Sequence, residues 1–260
     1  MAAGRTGGMC HDTDSRPPAP PRTGDVAERG TLTLTSTDGT EVATAYAAPA
    51  GGARVGVVLL PDVRGLHPYY VALAERFAEA GLPALAVDWF GRTAELPETG
   101  TRGQDFDWQA HVPQVTAAGV DADVTAAIGY LRERTRPNLP VVTVGFCFGG
   151  SHSWRLAGSD PDSGPDVAAC VGFYGRPEMT GDAPAVRPTL MVVAGADAAT
   201  PVDAQLALAE RLRAGGAEVE TAVYDGAPHS FFDRAHGDWA DACADVWRRV
   251  LALTDRVAAG

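Results

Sequence analysis

Positive charge is in short supply. The 260 residues carry 21 Lys and Arg against 33 Asp and Glu, a formal charge of −12, which argues against nucleic-acid or anionic-membrane partners, since both need a basic surface. Long apolar runs are missing as well. None approaches the roughly 20 residues of a membrane span, and the opening MAAGRTGGMCHDTDSRPPAPPRT has no apolar stretch that could act as a secretory signal. A cytoplasmic location is the expectation. Cysteine is sparse: Cys10, Cys147, Cys170 and Cys243 include no CxxC or close Cys/His pair, so a structural zinc site is not expected. No metal or cofactor is expected. Cys170 falls in a predicted strand and Cys243 in a predicted helix, and each reads as a small buried hydrophobe.

What is present is an ordinary globular composition, 45% apolar and 21% charged, long enough for one large α/β domain. Residues 1–27, rich in Pro, Gly and Arg, cannot bury a core face and read as an extended arm; Met9 is an alternative start. Residues 28–260 form the expected single domain. TLTLTST, Asp38-Gly39 and EVATAYAAP alternate about a turn, as an antiparallel hairpin does. Continuous apolar runs separated by helical stretches follow, the pattern of a parallel sheet covered on both faces. Strands are predicted at 54–60, 83–87, 140–145, 167–173, 188–194 and 217–224. Helices are predicted near 67–80, 111–135, 149–158, 201–214 and 237–256. Residues 93–110 have no period and read as a lid or an insertion, with Phe106 and Trp108 favouring a partly ordered lid.

In an open parallel sheet the reactive groups gather beyond the carboxyl ends of the strands. Those ends here carry Asp62-Val63-Arg64, Asp88-Trp89 with Arg92, Cys147, Tyr174-Gly175-Arg176, Asp197, and the segment from Asp225 to His229. The hexapeptide GFCFGG at 145–150 is a strand-to-helix elbow of the G-x-nucleophile-x-G type. Its flanking residues must be small to lie against neighbouring strands, its sulfur sits at a helix N-terminus, and the next N–H, that of Phe148, points at a nascent oxyanion. Gly-rich elbows also serve close packing or phosphate binding, so the hexapeptide alone leaves those readings open. A thiol nucleophile needs a base, and the base an orienting carboxylate. Asp197 after TLMVVAGA and His229 after AVYDGAP follow Cys147 in the chain order of an α/β-hydrolase triad. The remaining histidines have plainer readings: His11 in the arm, His111 opening a helix, His236 ahead of the last helix, His152 in packing and His67 as a helix cap.

GFCFGG, GADAATP and GAPHSFFD, with PDVRGL and DWFGRT upstream, resemble the dienelactone hydrolase (carboxymethylenebutenolidase) family from about residue 28 to the C-terminus. The resemblance implies an α/β-hydrolase fold, a mostly parallel twisted sheet with helices on both faces. It implies Cys147 as nucleophile, His229 as general base and then acid, Asp197 as its carboxylate, and the N–H groups of Phe148 and Val63 as oxyanion donors. The family's thiol-holding glutamate is matched by the shorter Asp62. Of the family's two substrate-binding arginines, Arg92 matches one; the other position holds Asp233, with Arg234 beside it, so a dienelactone substrate is not assumed. For Arg92 an ion pair with a loop carboxylate is the competing reading. Arg64, Trp89, Tyr174, Phe231 and Arg234 complete the substrate-binding candidates. The expected activity is cofactor-free hydrolysis of a small ester or lactone through an acyl-cysteine, by a monomer or homodimer. The alternatives are a non-catalytic binding protein on the same fold, or a thioesterase or acyltransferase of a biosynthetic pathway.

Overall fold

A computed structural model describes residues 15–160, 162–182, 184–233 and 235–260. Among these residues eight strands form one sheet in the order β1-β2-β4-β3-β5-β6-β7-β8. The first two, β1 (Val26–Thr35) and β2 (Glu41–Pro49), are an antiparallel hairpin paired from Thr35 with Glu41 outward. Gly39 turns it with φ +87°, a conformation glycine adopts without steric cost. Strand β1 starts inside the span expected to be arm, because Val26 already pairs with Pro49.

The remaining strands are β3 (Gly56–Leu60), β4 (Ala84–Val87), β5 (Val141–Phe146), β6 (Ala169–Phe173), β7 (Thr189–Ala194) and β8 (Val219–Tyr224). All pair in parallel with one another, while β2 meets β4 antiparallel. Each predicted strand lies within two residues of an observed one. The reason is burial on both faces: Val57 and Leu59 enter one core while Val58 and Leu60 enter the other, so the period-2 alternation is masked by a continuous apolar run.

Helices α1 (Pro68–Glu79) and α6 (Ala240–Ala259) cover one face through Tyr69, Leu73, Phe77, Val246 and Trp247. Helices α3 (Ala117–Arg134), α4 (Phe148–Leu156) and α5 (Val202–Ala214) cover the other through Val124, Ile128, Trp154, Leu208 and Leu212. The helix expected over 111–135 is broken. A single turn, α2 (Trp108–His111), precedes it, and α3 begins only after Thr116, whose side chain accepts from the Gly119 N–H. His111 therefore closes a short helix rather than opening a long one. His67 caps α1, its Nδ1 accepting from the Tyr69 N–H at 3.2 Å.

The described end of the arm lies on the domain. Pro17, Pro18 and Pro20 are buried, the Trp247 indole donates to the Pro18 carbonyl at 3.1 Å, and the Gly24 N–H donates to the Glu79 carbonyl at 2.6 Å. Cys10 and His11 lie outside the described residues. Cys170 and Cys243 are buried in β6 and α6, and burial pushes each thiol up to about 12. Among the described residues no helix is long and apolar enough to cross a membrane.

Candidate active site

Strand β5 ends at Phe146 and α4 opens at Phe148, which leaves Cys147 alone to turn the chain, at φ 52° and ψ −109°. A side-chain-bearing residue with positive φ is strained and persists only where its surroundings hold it. Here they do. The Cys147 N–H donates to the Phe173 carbonyl at 2.9 Å, and its own carbonyl accepts from the Ser151 N–H and Oγ, each at 3.1 Å. The neighbouring glycines are sterically required: a Cβ on Gly145 would lie 2.0 Å from the Gly149 carbonyl oxygen, and one on Gly149 would lie 2.0 Å from that of Leu60. On Gly150 it would lie 2.4 Å from the Phe173 oxygen. The half-exposed Cys147 side chain lines a cavity of about 590 Å³.

Asp197 follows β7, its carboxylate buried. Its Oδ1 accepts from the N–H groups of Ala199 and Thr200 at 2.7 and 3.0 Å, and its Oδ2 lies 2.7 Å from His229 Nδ1. An ionised carboxylate only accepts, so the proton of a neutral His229 sits on Nδ1 and Nε2 is left as an acceptor. His229 lines the same cavity as Cys147. The two loops are fastened together by the Ala196 N–H donating to the Ala227 carbonyl at 2.8 Å.

The turn after β3 completes this edge. Val63 lines the cavity beside Phe148. Phe148 is the first residue of α4, and the first N–H groups of a helix have no partner within it. Arg64 also lines the cavity, although its side chain is largely buried, with Nη2 3.6 Å from Asp62 Oδ2. Asp62 Oδ1 accepts from the Arg64 N–H at 2.9 Å.

Several expected substrate contacts lie elsewhere. Arg92 is not at this cavity: its guanidinium binds Asp123 through two hydrogen bonds of 2.9 Å, Asp38 at 2.8 Å and Ser36 at 3.2 Å. This places Arg92 in an ion pair with a loop carboxylate, and it holds the Asp38 carboxyl down at about 2. Trp89 is buried, its indole N–H donating to the Asp62 carbonyl at 3.1 Å, so it supports the Val63 turn from beneath. Phe231 is fully buried against Tyr174, Tyr224 and Trp239. Tyr174 is buried too, its ring 4.6 Å from the His229 ring, where it walls the imidazole without lining the cavity. Asp233 is buried and does not line the cavity. Arg234 lies outside the described residues.

The cavity's other walls were not foreseen as substrate contacts. Phe106, Trp108 and Val112, from the aperiodic 93–110 stretch and its continuation, line it, as do Met179 and the exposed Arg176. Arg176 was visible at a strand end; Met179 carried no signal in the sequence. His152 is buried in packing against Phe148 and Trp89, and burial, reinforced by the nearby Arg155, pulls it down to about 3. Among the described residues no cluster of His, Cys, Asp and Glu is arranged to hold a metal ion.

A sequence model of the dienelactone hydrolase family matches residues 42–257. The chain belongs to the dienelactone hydrolase family. This family member is 28% identical over 219 residues to a Methylorubrum extorquens protein provisionally named a carboxymethylenebutenolidase, covering 77% of this chain and 71% of that one. It is 26% identical over 278 residues to the carboxymethylenebutenolidase of Rhodococcus opacus, covering 95% and 97%. A crystal structure from Klebsiella pneumoniae, provisionally titled a dienelactone hydrolase, superposes with a TM-score of 0.73 at 24% identity over 86% of this chain and 97% of that one. The fold is that of the α/β-hydrolases, and the family member is a hydrolase of the dienelactone hydrolase type.

Proposed function

We propose that this protein hydrolyses small esters or lactones through Cys147, His229 and Asp197, by way of an acyl-cysteine. The observation that supports it most is the elbow. Three glycines whose Cβ atoms would collide with backbone keep a cysteine in a left-handed conformation at the wall of a cavity shared with His229, and ordinary packing has no need of that strain.

In the first half-reaction His229 Nε2 takes the thiol proton as the sulfur attacks the carbonyl carbon. The carbonyl π pair moves onto oxygen, and the N–H groups of Phe148 and Val63 stabilise that oxyanion, each donor contributing about 3 kcal/mol in such a site. The oxyanion collapses, the C–O bond to the alcohol part breaks, and the His229 proton goes to the departing oxygen. In the second half-reaction His229 removes a proton from water, the hydroxide attacks the thioester, and the thiol leaves with the proton returned by His229. Asp197 keeps the Nδ1–H orientation and stabilises the transient imidazolium. The substrate is a small molecule, and the aromatic and aliphatic wall of Phe106, Trp108 and Val112 favours an apolar acyl or alcohol group.

The test is p-nitrophenyl acetate with intact mass measured in the first seconds. Wild type is expected to release phenolate and to carry a transient acetyl adduct. Cys147→Ala loses both, and Asp197→Asn, with the wrong imidazole tautomer favoured, falls by about 10⁴-fold in kcat. Equal slow release from wild type and Cys147→Ala, with no adduct on this ester or on a simple lactone, would overturn the proposal in favour of a binding protein on the same fold.

A further inference from the structure

The segment between β4 and α3 has little regular structure, yet the Arg102 side chain within it is nearly as buried as the core. Arg102 is 5% exposed and donates two hydrogen bonds to one oxygen of the fully buried Asp88, Nη2 and Nε lying 2.8 and 3.0 Å from Oδ2. The other Asp88 oxygen, Oδ1, accepts from the Leu66 N–H at 3.0 Å. The Arg102 N–H in turn donates to the Leu66 carbonyl at 2.9 Å, and its Nη1 donates to the Glu95 carbonyl at 2.7 Å. Leu66 belongs to the same turn as Val63. That turn fits around Asp88 so closely that a Cβ on Gly65, at φ +70°, would lie 2.2 Å from Asp88 Oδ1.

The guanidinium also meets an aromatic side chain of its own loop. It lies 4.5 Å from the centre of the Phe106 ring, and Phe106 stacks on His111 with centroids 5.1 Å apart and planes 15° from parallel. Phe106 and Val63 both line the cavity. One buried ion pair therefore touches the turn that carries a proposed oxyanion donor and the loop that forms the aromatic wall. Buried ion pairs are weak evidence for stability, because desolvation offsets their attraction. Their planar, fixed geometry is better suited to holding two segments in register.

We infer that Asp88 and Arg102 are positioning residues, which set the Val63 N–H and the Phe106 wall in a single relative geometry for ester cleavage. The inference rests on the hydrolytic reading above. Neither residue touches substrate; both act through the turn and the loop. A misplacement of about 1 Å at a catalytic group can cost about 10²-fold in rate, which sets the scale of the expected effect.

The experiment compares two reactions at Cys147 in wild type, Arg102→Met and Arg102→Lys. Acylation by p-nitrophenyl acetate generates an oxyanion and needs its donors. Alkylation by iodoacetamide, mapped to the Cys147 peptide, displaces iodide and needs only the thiol and its base. In Arg102→Met, acylation is expected to fall by about 10²-fold while alkylation stays within about twofold of wild type. Lysine keeps the charge but not the fork, so Arg102→Lys is expected to recover part of the acylation rate. Should Arg102→Met fail to fold, Arg102→Lys carries the test with a smaller divergence of the two rates in the same direction. Acylation within about twofold of wild type, or acylation and alkylation falling by the same factor, overturns the inference. A wild type that alkylates but never acylates overturns the hydrolytic reading instead.

Discussion

Two segments meet at the cavity and are held by opposite means. The elbow at 145–150 is held by backbone: its shape follows from three glycines pressed against carbonyl oxygens of β3, β6 and α4 and from hydrogen bonds between main-chain groups. The connection from Asp88 to Thr116 is held by side chains, above all the pairs of Arg102 with Asp88 and of Arg92 with Asp123. The difference is one of tolerance. The three elbow glycines admit no added atom, whereas the connection is intolerant only where it meets other segments, as at its ion pairs and at Gly91, where a Cβ would lie 2.2 Å from the Glu41 carbonyl oxygen.

The largest effect should come from adding a single methyl group at the elbow. Gly149→Ala places a Cβ 2.0 Å from the Leu60 carbonyl oxygen, so β3 and α4 must part. The expected result is loss of the cooperative unfolding transition together with ester turnover. A native-like melting curve with wild-type turnover would show that the elbow is not packed as described and would erase the contrast with the loop.

At the stem of the connection, Arg92→Gln leaves the buried Asp123 without its guanidinium, a change that costs about 3 kcal/mol when a buried pair loses one partner. Because Arg92 does not line the cavity, kcat/KM for p-nitrophenyl acetate and for a carboxylate-bearing ester should be unchanged. Urea unfolding beside steady-state kinetics separates the two effects. A selective loss toward the carboxylate-bearing ester would restore Arg92 as a substrate contact.

The smallest effect at neutral pH lies back in the elbow helix. Burial, with Arg155 adding to it, holds His152 at about 3 in the folded protein, below the ordinary histidine value of about 6.5. The unfolded chain thus binds a proton that the native state refuses, and stability falls as pH drops through that window, by up to about 1.4 kcal/mol per pH unit. His152→Phe should flatten this part of the pH profile of the urea midpoint between about pH 6.5 and 4. An unchanged slope would mean that the imidazole is protonated where it lies.

The parallel strands were legible because burial on both faces writes itself as an apolar run, as in GVVLL of β3. The elbow was legible because only glycine meets its steric demand, and Asp197 and His229 because they follow strands in a recognisable order. Arg92 carried two readings for a different reason: the loop carboxylate that pairs with it, Asp38, is 54 residues away in sequence, and no local pattern reports that distance. Trp89 and Phe231 sit at strand ends or beside the histidine, where a cavity was expected, but their rings turn into the core.

By itself the sequence determined the α/β alternation, the elbow and the order of its partners, since each depends on periodicity, glycine and nearest neighbours along the chain. Only the tertiary structure decided which arginine faces the cavity and which is locked in an ion pair. It also decided that an aperiodic loop becomes an aromatic wall. A long charged side chain chooses its partner by proximity across the fold, and that proximity exists only after the sheet has brought its strand ends together.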